Sequence, residues 1–141
     1  MIVAALDTSV VAAGIGWAGG PARRVLVLLA RRTFQSVLTK ALTAEWADTL
    51  ADLAARGARW QNLGWAHWLE WLRRKSALVE PGALRATVKR DWDDDVVLAA
   101  ALGGRAGYLV THDRDLLELE KPFGIKILPP GAFVSQVLRS A

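Results

Sequence analysis

Apolar residues fall in short unbroken runs, and between the runs they repeat every three to four positions. Ile2–Leu6 is a continuous apolar run ending at Asp7, the pattern of a strand buried on both faces. Phe34–Leu38, Ala77–Val79, Tyr108–Thr111 and Ile125–Leu128 predict further strands. Ser9 is placed to cap a helix through about Trp17, ended by Gly19-Gly20, and Pro21 suits the first turn of a second helix through about Arg32. Thr39 or Thr43 caps a helix with Leu42, Trp46, Leu50 and Leu53 on one face. Residues 60–75 predict one helix with a wide apolar arc of Trp65, Trp68, Leu69, Trp71 and Leu72. The segment up to Arg90 gives no clear period. Asp93 or Asp94 caps a helix through Leu102, ended by Gly103-Gly104. Arg114–Leu119 and Pro130–Arg139 are the last two helices. Strands alternating with helices throughout predict an α/β sandwich around a mostly parallel sheet.

Length and composition narrow this without changing it. A chain of 141 residues, 52% hydrophobic, is expected to form a single domain over 1–141 and is too apolar for disorder. With no cysteine it has no disulfide framework, thiolate metal site or cysteine nucleophile. The apolar stretch Val10–Gly20 is too short to span a bilayer and has no basic residue before it, so the expectation is a soluble, cytoplasmic protein with no membrane partner.

Charge is unevenly distributed. The net charge is +4, yet residues 23–90 hold 13 basic and 5 acidic side chains, whereas residues 91–120 hold 2 basic and 8 acidic. A basic body with a concentrated acidic stretch suits a protein that attracts a polyanion and holds a cation. Solvated helix faces would give the same totals.

In open parallel sheets, ligands bind beyond the carboxyl ends of the strands. Asp7 follows the first strand, Asp113 follows the Tyr108 strand, and Asp93-Asp94-Asp95 opens a helix. Carboxylates converging on one sheet edge repel one another unless a cation lies among them, and oxygen-only ligands select a hard ion. Each has a plainer reading: an Asx turn at Asp7, helix caps at Asp93–Asp95 and at Asp113. One cap needs one aspartate, so the triplet has carboxylates to spare. Glu45 shares a helix flank with Asp48 and Asp52, which on pattern alone is a solvated stripe.

Taken together, Leu6-Asp7-Thr8-Ser9, Glu45, the run Arg90–Asp95 followed by Leu98-Ala99-Ala100-Ala101, and Tyr108–Asp113 resemble a PIN domain. The closing Ile125–Pro130 and Phe133 are similar to that family's last strand and helix, so the resemblance runs from Ile2 to about Leu138. Within the family the pattern is similar to the VapC-like toxins of bacterial toxin–antitoxin systems. The resemblance implies a three-layer α/β/α fold and a Mg²⁺- or Mn²⁺-dependent endoribonuclease. It also implies an RNA substrate, a cognate antitoxin protein and a homodimer. The family's four acids fall on Asp7, Glu45, Asp95 and Asp113. Asp95 directly precedes the Val-Val-Leu-Ala-Ala run that follows the third acid, and Asp94 is its alternate. Metal ligation would fall on Asp7, Asp95, Asp113 and Asp94, with Ser9 and Thr111 in support. Ser9 departs from the family pattern, which often has Asn there. Arg23, Arg24, Arg73, Arg74 and Lys75 are candidates for holding the RNA backbone, though solvated helix ends would look the same.

Other chemistries fit less well. A Ser-His-Asp triad would need His112 beside its own neighbour Asp113. Gly14-Ile15-Gly16 with Gly19-Gly20 has the wrong spacing for a dinucleotide loop. A catalytically idle PIN-like module that binds RNA or protein is the alternative function. Seven tryptophans stand against three phenylalanines. Trp65, Trp68 and Trp71 fit a core face, a dimer face or a groove for a partner helix.

Overall fold

The structure is a computed structural model that describes residues 1–83, 92–119 and 121–140, with only the backbone of 92–95. The segment without a clear period lies mostly outside the described residues. The elements are β1 (Val3–Leu6), α1 (Thr8–Gly16), α2 (Pro21–Ala30), β2 (Gln35–Leu38), α3 (Lys40–Arg56), α4 (Ala58–Gln61), α5 (Trp65–Lys75), β3 (Ser76–Leu78), α6 (Trp92–Gly103), β4 (Tyr108–Val110), α7 (Arg114–Leu117), a 3₁₀ turn at Pro122–Gly124, β5 (Lys126–Leu128) and α8 (Pro130–Ser140).

All strand pairs are parallel, in the order β3-β2-β1-β4-β5. The chain winds outward from β1 to β3, then returns to β4 on the other side of β1. Right-handed crossovers therefore place the β1-to-β3 connections on one face and α6 on the other, a three-layer α/β/α sandwich. α6 lies across β1, β2 and β4, while α2 packs beside α1 and α8. The core is aliphatic at β1, where Ala4, Ala5 and Leu6 are fully buried, and aromatic at its margins. Phe133 on α8 meets Phe34 and Tyr108 edge-on, at ring separations of 5.0 and 5.8 Å.

Several local expectations change. The N-cap of α1 is Asp7 rather than Ser9, and its carboxylate makes no cap hydrogen bond, being engaged elsewhere. Thr39, not Thr43, caps α3: its Oγ accepts from the Leu42 amide at 3.1 Å. The inward face of α3 is Leu42, Trp46, Leu50 and Ala54, with Leu53 only half-buried. A strict four-residue step suits the close approach of α3 to its neighbours. The helix expected over 60–75 is interrupted at Asn62–Gly64, where Gly64 takes a left-handed conformation (φ 66°) that glycine adopts without steric cost. Trp60 is thereby freed to meet Trp17 edge-on at 5.7 Å, and Arg59 donates to the Gly16 carbonyl at the end of α1.

The tryptophan arc is divided. Leu72 is fully buried, whereas Trp65, Trp68 and Trp71 are half-buried against the core. Trp68 and Trp71 also line an apolar cavity of about 560 Å³ with Leu26, Val27 and Ala30 of α2.

Candidate active site at the carboxyl edge of the sheet

The winding of the sheet reverses between β1 and β4, so a crevice is expected beyond their carboxyl ends. Asp7 and Asp113 lie there, one and three residues past the paired ends Leu6 and Val110. The Asp7 amide extends the ladder by donating to the Val110 carbonyl at 2.9 Å. Asp7 is buried, 8% exposed, an unusual position for a carboxylate without compensating donors.

Those donors are two hydroxyls. Ser9 Oγ donates to Asp7 Oδ2 at 2.7 Å, and the fully buried Thr111 Oγ1 donates to the same oxygen at 2.8 Å. Each hydroxyl accepts in turn from the main chain: Ser9 Oγ from the His112 amide at 3.1 Å, Thr111 Oγ1 from the Asp113 amide at 2.9 Å. With an acceptor site of each hydroxyl occupied by an N–H, both protons are directed at Asp7. Oδ2 is fixed, while Oδ1 has no hydrogen-bond partner among the described residues. Asp113 caps α7, its Oδ1 accepting from the Asp115 amide at 2.9 Å. The helix-cap reading of Asp113 is therefore observed, and its amide is tied to Thr111.

Glu45 is not part of a fully solvated stripe. Trp46, the next residue, is fully buried and its Nε1 donates to the Leu6 carbonyl at 3.2 Å, tying α3 to the end of β1. Glu45 is half-buried, and its Oε2 is shielded from solvent. It lines a cavity of about 490 Å³ with Asp48, Thr49 and Val96. Val96 directly follows Asp95, so the first turn of α6 lies beside Glu45. The side chains of Asp94 and Asp95 lie outside the described residues, and with them part of any metal centre. Among the described residues no three Asp, Glu, His or Cys side chains gather into a group that could hold a metal ion. The donor set nonetheless fits a hard cation: the acids are oxygen ligands, and Asp7 has one carboxylate oxygen fixed and the other without a donor among the described residues.

The basic candidates separate. Arg23 is engaged inside the fold: Nε donates to the Gly14 carbonyl, Nη2 to Ile15 O at 3.2 Å, and the guanidinium lies 4.9 Å from the Trp68 ring centroid. Arg24 is exposed on α2. Arg73 and Arg74 line a groove at the carboxyl ends of β2 and β3, and half-buried Lys75 lies one residue beyond it. Sequence reasoning missed Lys40, which lines the same groove. Its available signal was a basic residue two positions past the end of a strand. The amides of His112 and Asp113 were also missed, since any residue type supplies them.

Residues 4–115 match the PIN domain family, and the chain belongs to that family. No curated protein matches it. Two solved structures share the fold. The crystal structure of PAE2754 from Pyrobaculum aerophilum is 18% identical, with a TM-score of 0.67 over 98% of this chain and 90% of that one. The crystal structure of VapBC2 from Rickettsia felis, bound to a DNA fragment from its promoter, is 16% identical, with a TM-score of 0.59 over 90% of this chain and 97% of that one. Among the described residues no helix is long and apolar enough to cross a membrane.

Proposed function

We propose that this PIN domain, taken as one domain over 1–141, is a divalent-metal-dependent endoribonuclease. We further propose that it is the toxin component of a toxin–antitoxin pair. The observation that carries the first part is the buried Asp7 at the β1/β4 crevice, with Ser9 and Thr111 fixing one carboxylate oxygen. A buried, oriented carboxylate at the same strand ends as Asp113, with the Glu45 helix tied to β1 by Trp46, supports a cation-binding role. Asp7, Asp95 and Asp113 would hold Mg²⁺ or Mn²⁺, with Asp94 as the alternate ligand and Glu45 beside them. When bound, such an ion supplies activation of a water and neutralisation of charge on the phosphodiester. The protein's own part is orientation. Ser9 and Thr111 hold Asp7, the Asp115 amide holds Asp113, and Trp46 holds the start of α3 against β1 so that Glu45 is fixed in depth.

The toxin reading rests on the likeness in fold to VapBC2 and brings in a cognate antitoxin and a homodimer. The apolar cavity between α2 and α5 offers surface for either partner. A cytoplasmic location belongs to the same reading.

The test is cleavage of a panel of structured RNAs with Mg²⁺, Mn²⁺ or EDTA, by the wild type and by Asp7→Asn and Asp95→Asn. Metal-dependent cutting by the wild type alone is expected. Equal cutting by both variants would overturn the site, and RNA binding without cutting under any condition would favour the idle module.

A further inference from the structure

We propose that the groove between the start of α3 and the last turn of α5 is a track for the phosphodiester backbone of a single strand leaving the acidic centre. Lys40, Arg73 and Arg74 are its contacts. This deepens the nuclease reading and rests on it for the direction of the strand, but the binding itself stands on separate observations.

The groove has a volume of about 590 Å³. Its floor includes Leu38 and Leu78, the last residues of β2 and β3. It therefore opens on the same sheet edge as Asp7, one to two strands away, about 5–10 Å at the usual strand spacing. Among the described residues three cations line it against one carboxylate, Glu70. Glu70 approaches Arg73 only at 3.8 Å, with both side chains more than half exposed, so the pair is weak and readily exchanged for a phosphate. Lys40 and Arg74 make no ion pair among the described residues. Lys40 is also the first residue of the 17-residue α3, whose N-terminal dipole adds to the positive field. Among the described residues, the apolar remainder of the lining, with Leu69, Ala44 and Ala47, holds no aromatic ring. Contacts through phosphate rather than base stacking are the consequence.

Ala44 lines both this groove and the cavity that holds Glu45. The basic groove and the acidic cavity thus lie on either side of one residue of α3. A polyanion in the groove is held by cations, and its continuation reaches the carboxylates only where a metal ion can meet it.

The experiment is fluorescence anisotropy with a labelled 12-nucleotide single-stranded RNA and the DNA of the same sequence. EDTA is present, so that no strand is cut. The double variant Lys40→Gln/Arg74→Gln is compared with wild type and with Arg31→Gln/Arg32→Gln, which removes the same charge from two exposed positions at the C-terminal end of α2. The groove variant should bind both nucleic acids about 10-fold more weakly at 150 mM salt. Its slope of log affinity against log salt should flatten by about 1.4, two single-strand phosphate contacts at about 0.7 each. The α2 variant should change by less than about 2-fold, and circular dichroism should show all three proteins folded.

Equal losses in the two variants would overturn the track, as would no loss in the groove variant. A loss confined to RNA would overturn it as well, because it would mean contact with the 2′-hydroxyl. If the wild type cuts RNA while the groove variant binds normally, the track fails and the nuclease reading stands. If the groove variant loses binding but no RNA is ever cut, the nuclease reading fails and the track stands.

Discussion

Replacing Thr111 by valine keeps the shape of the side chain and removes one hydroxyl that makes two hydrogen bonds. The bond it donates ends on the buried Asp7 carboxylate at 2.8 Å, and the one it accepts comes from the Asp113 amide at 2.9 Å. A hydrogen bond to a charged group contributes about 1.5–3 kcal/mol, and a neutral one about 0.5–1.5 kcal/mol. Thr111 is fully buried, so water cannot enter to replace either bond without opening the β1/β4 edge. The added methyl recovers part of the loss, leaving an expected destabilisation of about 2–3 kcal/mol. For a domain of this size that corresponds to a fall in Tm of roughly 6–12 °C. Asp7 then keeps only the Ser9 donor, and loss of such an orienting partner typically lowers metal affinity or activity about 10- to 100-fold. Thermal unfolding followed by circular dichroism reads the first effect, and calorimetric titration with Mn²⁺ reads the second. Thr111→Ser keeps the hydroxyl and should recover most of both. A Thr111→Val protein as stable as wild type would refute the argument, as would a serine variant no better than the valine one.

Three further perturbations test other joints of the structure. Trp46→Phe removes the donor to Leu6 O and leaves space in the core beneath Glu45; a loss of about 2–4 kcal/mol in urea unfolding is expected, and less than 1 kcal/mol would mean that this bond does not fix α3. Gly14→Ala brings a methyl to 2.8 Å from Leu26 Cδ1 where α1 crosses α2, which should cost about 1–3 kcal/mol, while Gly19→Ala meets no atom within 4 Å and should be nearly neutral; equal effects would contradict the packing. Arg23→Gln should lower stability by about 1–2 kcal/mol, because two carbonyls of α1 and the Trp68 ring lose their partner, with RNA affinity unchanged within 2-fold. A variant with intact stability and weakened RNA binding would return Arg23 to the surface role expected from its charge.

The strands and the parallel sheet were legible because buried parallel strands leave continuous apolar runs, and Ile2–Leu6 ending in Asp7 marks both a strand and its carboxyl end. Asp7 itself could be picked out for the same reason: a carboxylate at the end of such a run is hard to explain by packing. The role of Ser9 was read only in part. Its support for Asp7 came with the family resemblance, while local pattern suggested a helix cap, because the competing donor to its hydroxyl, the His112 amide, becomes visible only once β1 and β4 are paired. The break at Gly64 was hidden by tryptophans whose period continues across it, and a left-handed residue gives no periodic signal. Glu45 is a half-buried residue on a helix flank, and depth along a flank depends on what packs beside it, here the first turn of α6. Arg23 and Arg73 look alike in sequence; only the carbonyl ends of α1 distinguish them.

The pairing of β1 with β4 also sets an order of assembly. Asp7 and Asp113 are separated by 105 intervening residues, and β1 has β2 as a partner long before β4 is made. At synthesis rates of about 5–20 residues per second, Asp7 waits roughly 5–20 s for Thr111 and Asp113 to emerge. During that interval Asp7 has Ser9, one of its two hydroxyl donors, but neither Thr111 nor Asp113. On the proposed nuclease reading, the acidic centre is therefore completed only when β4 joins the sheet.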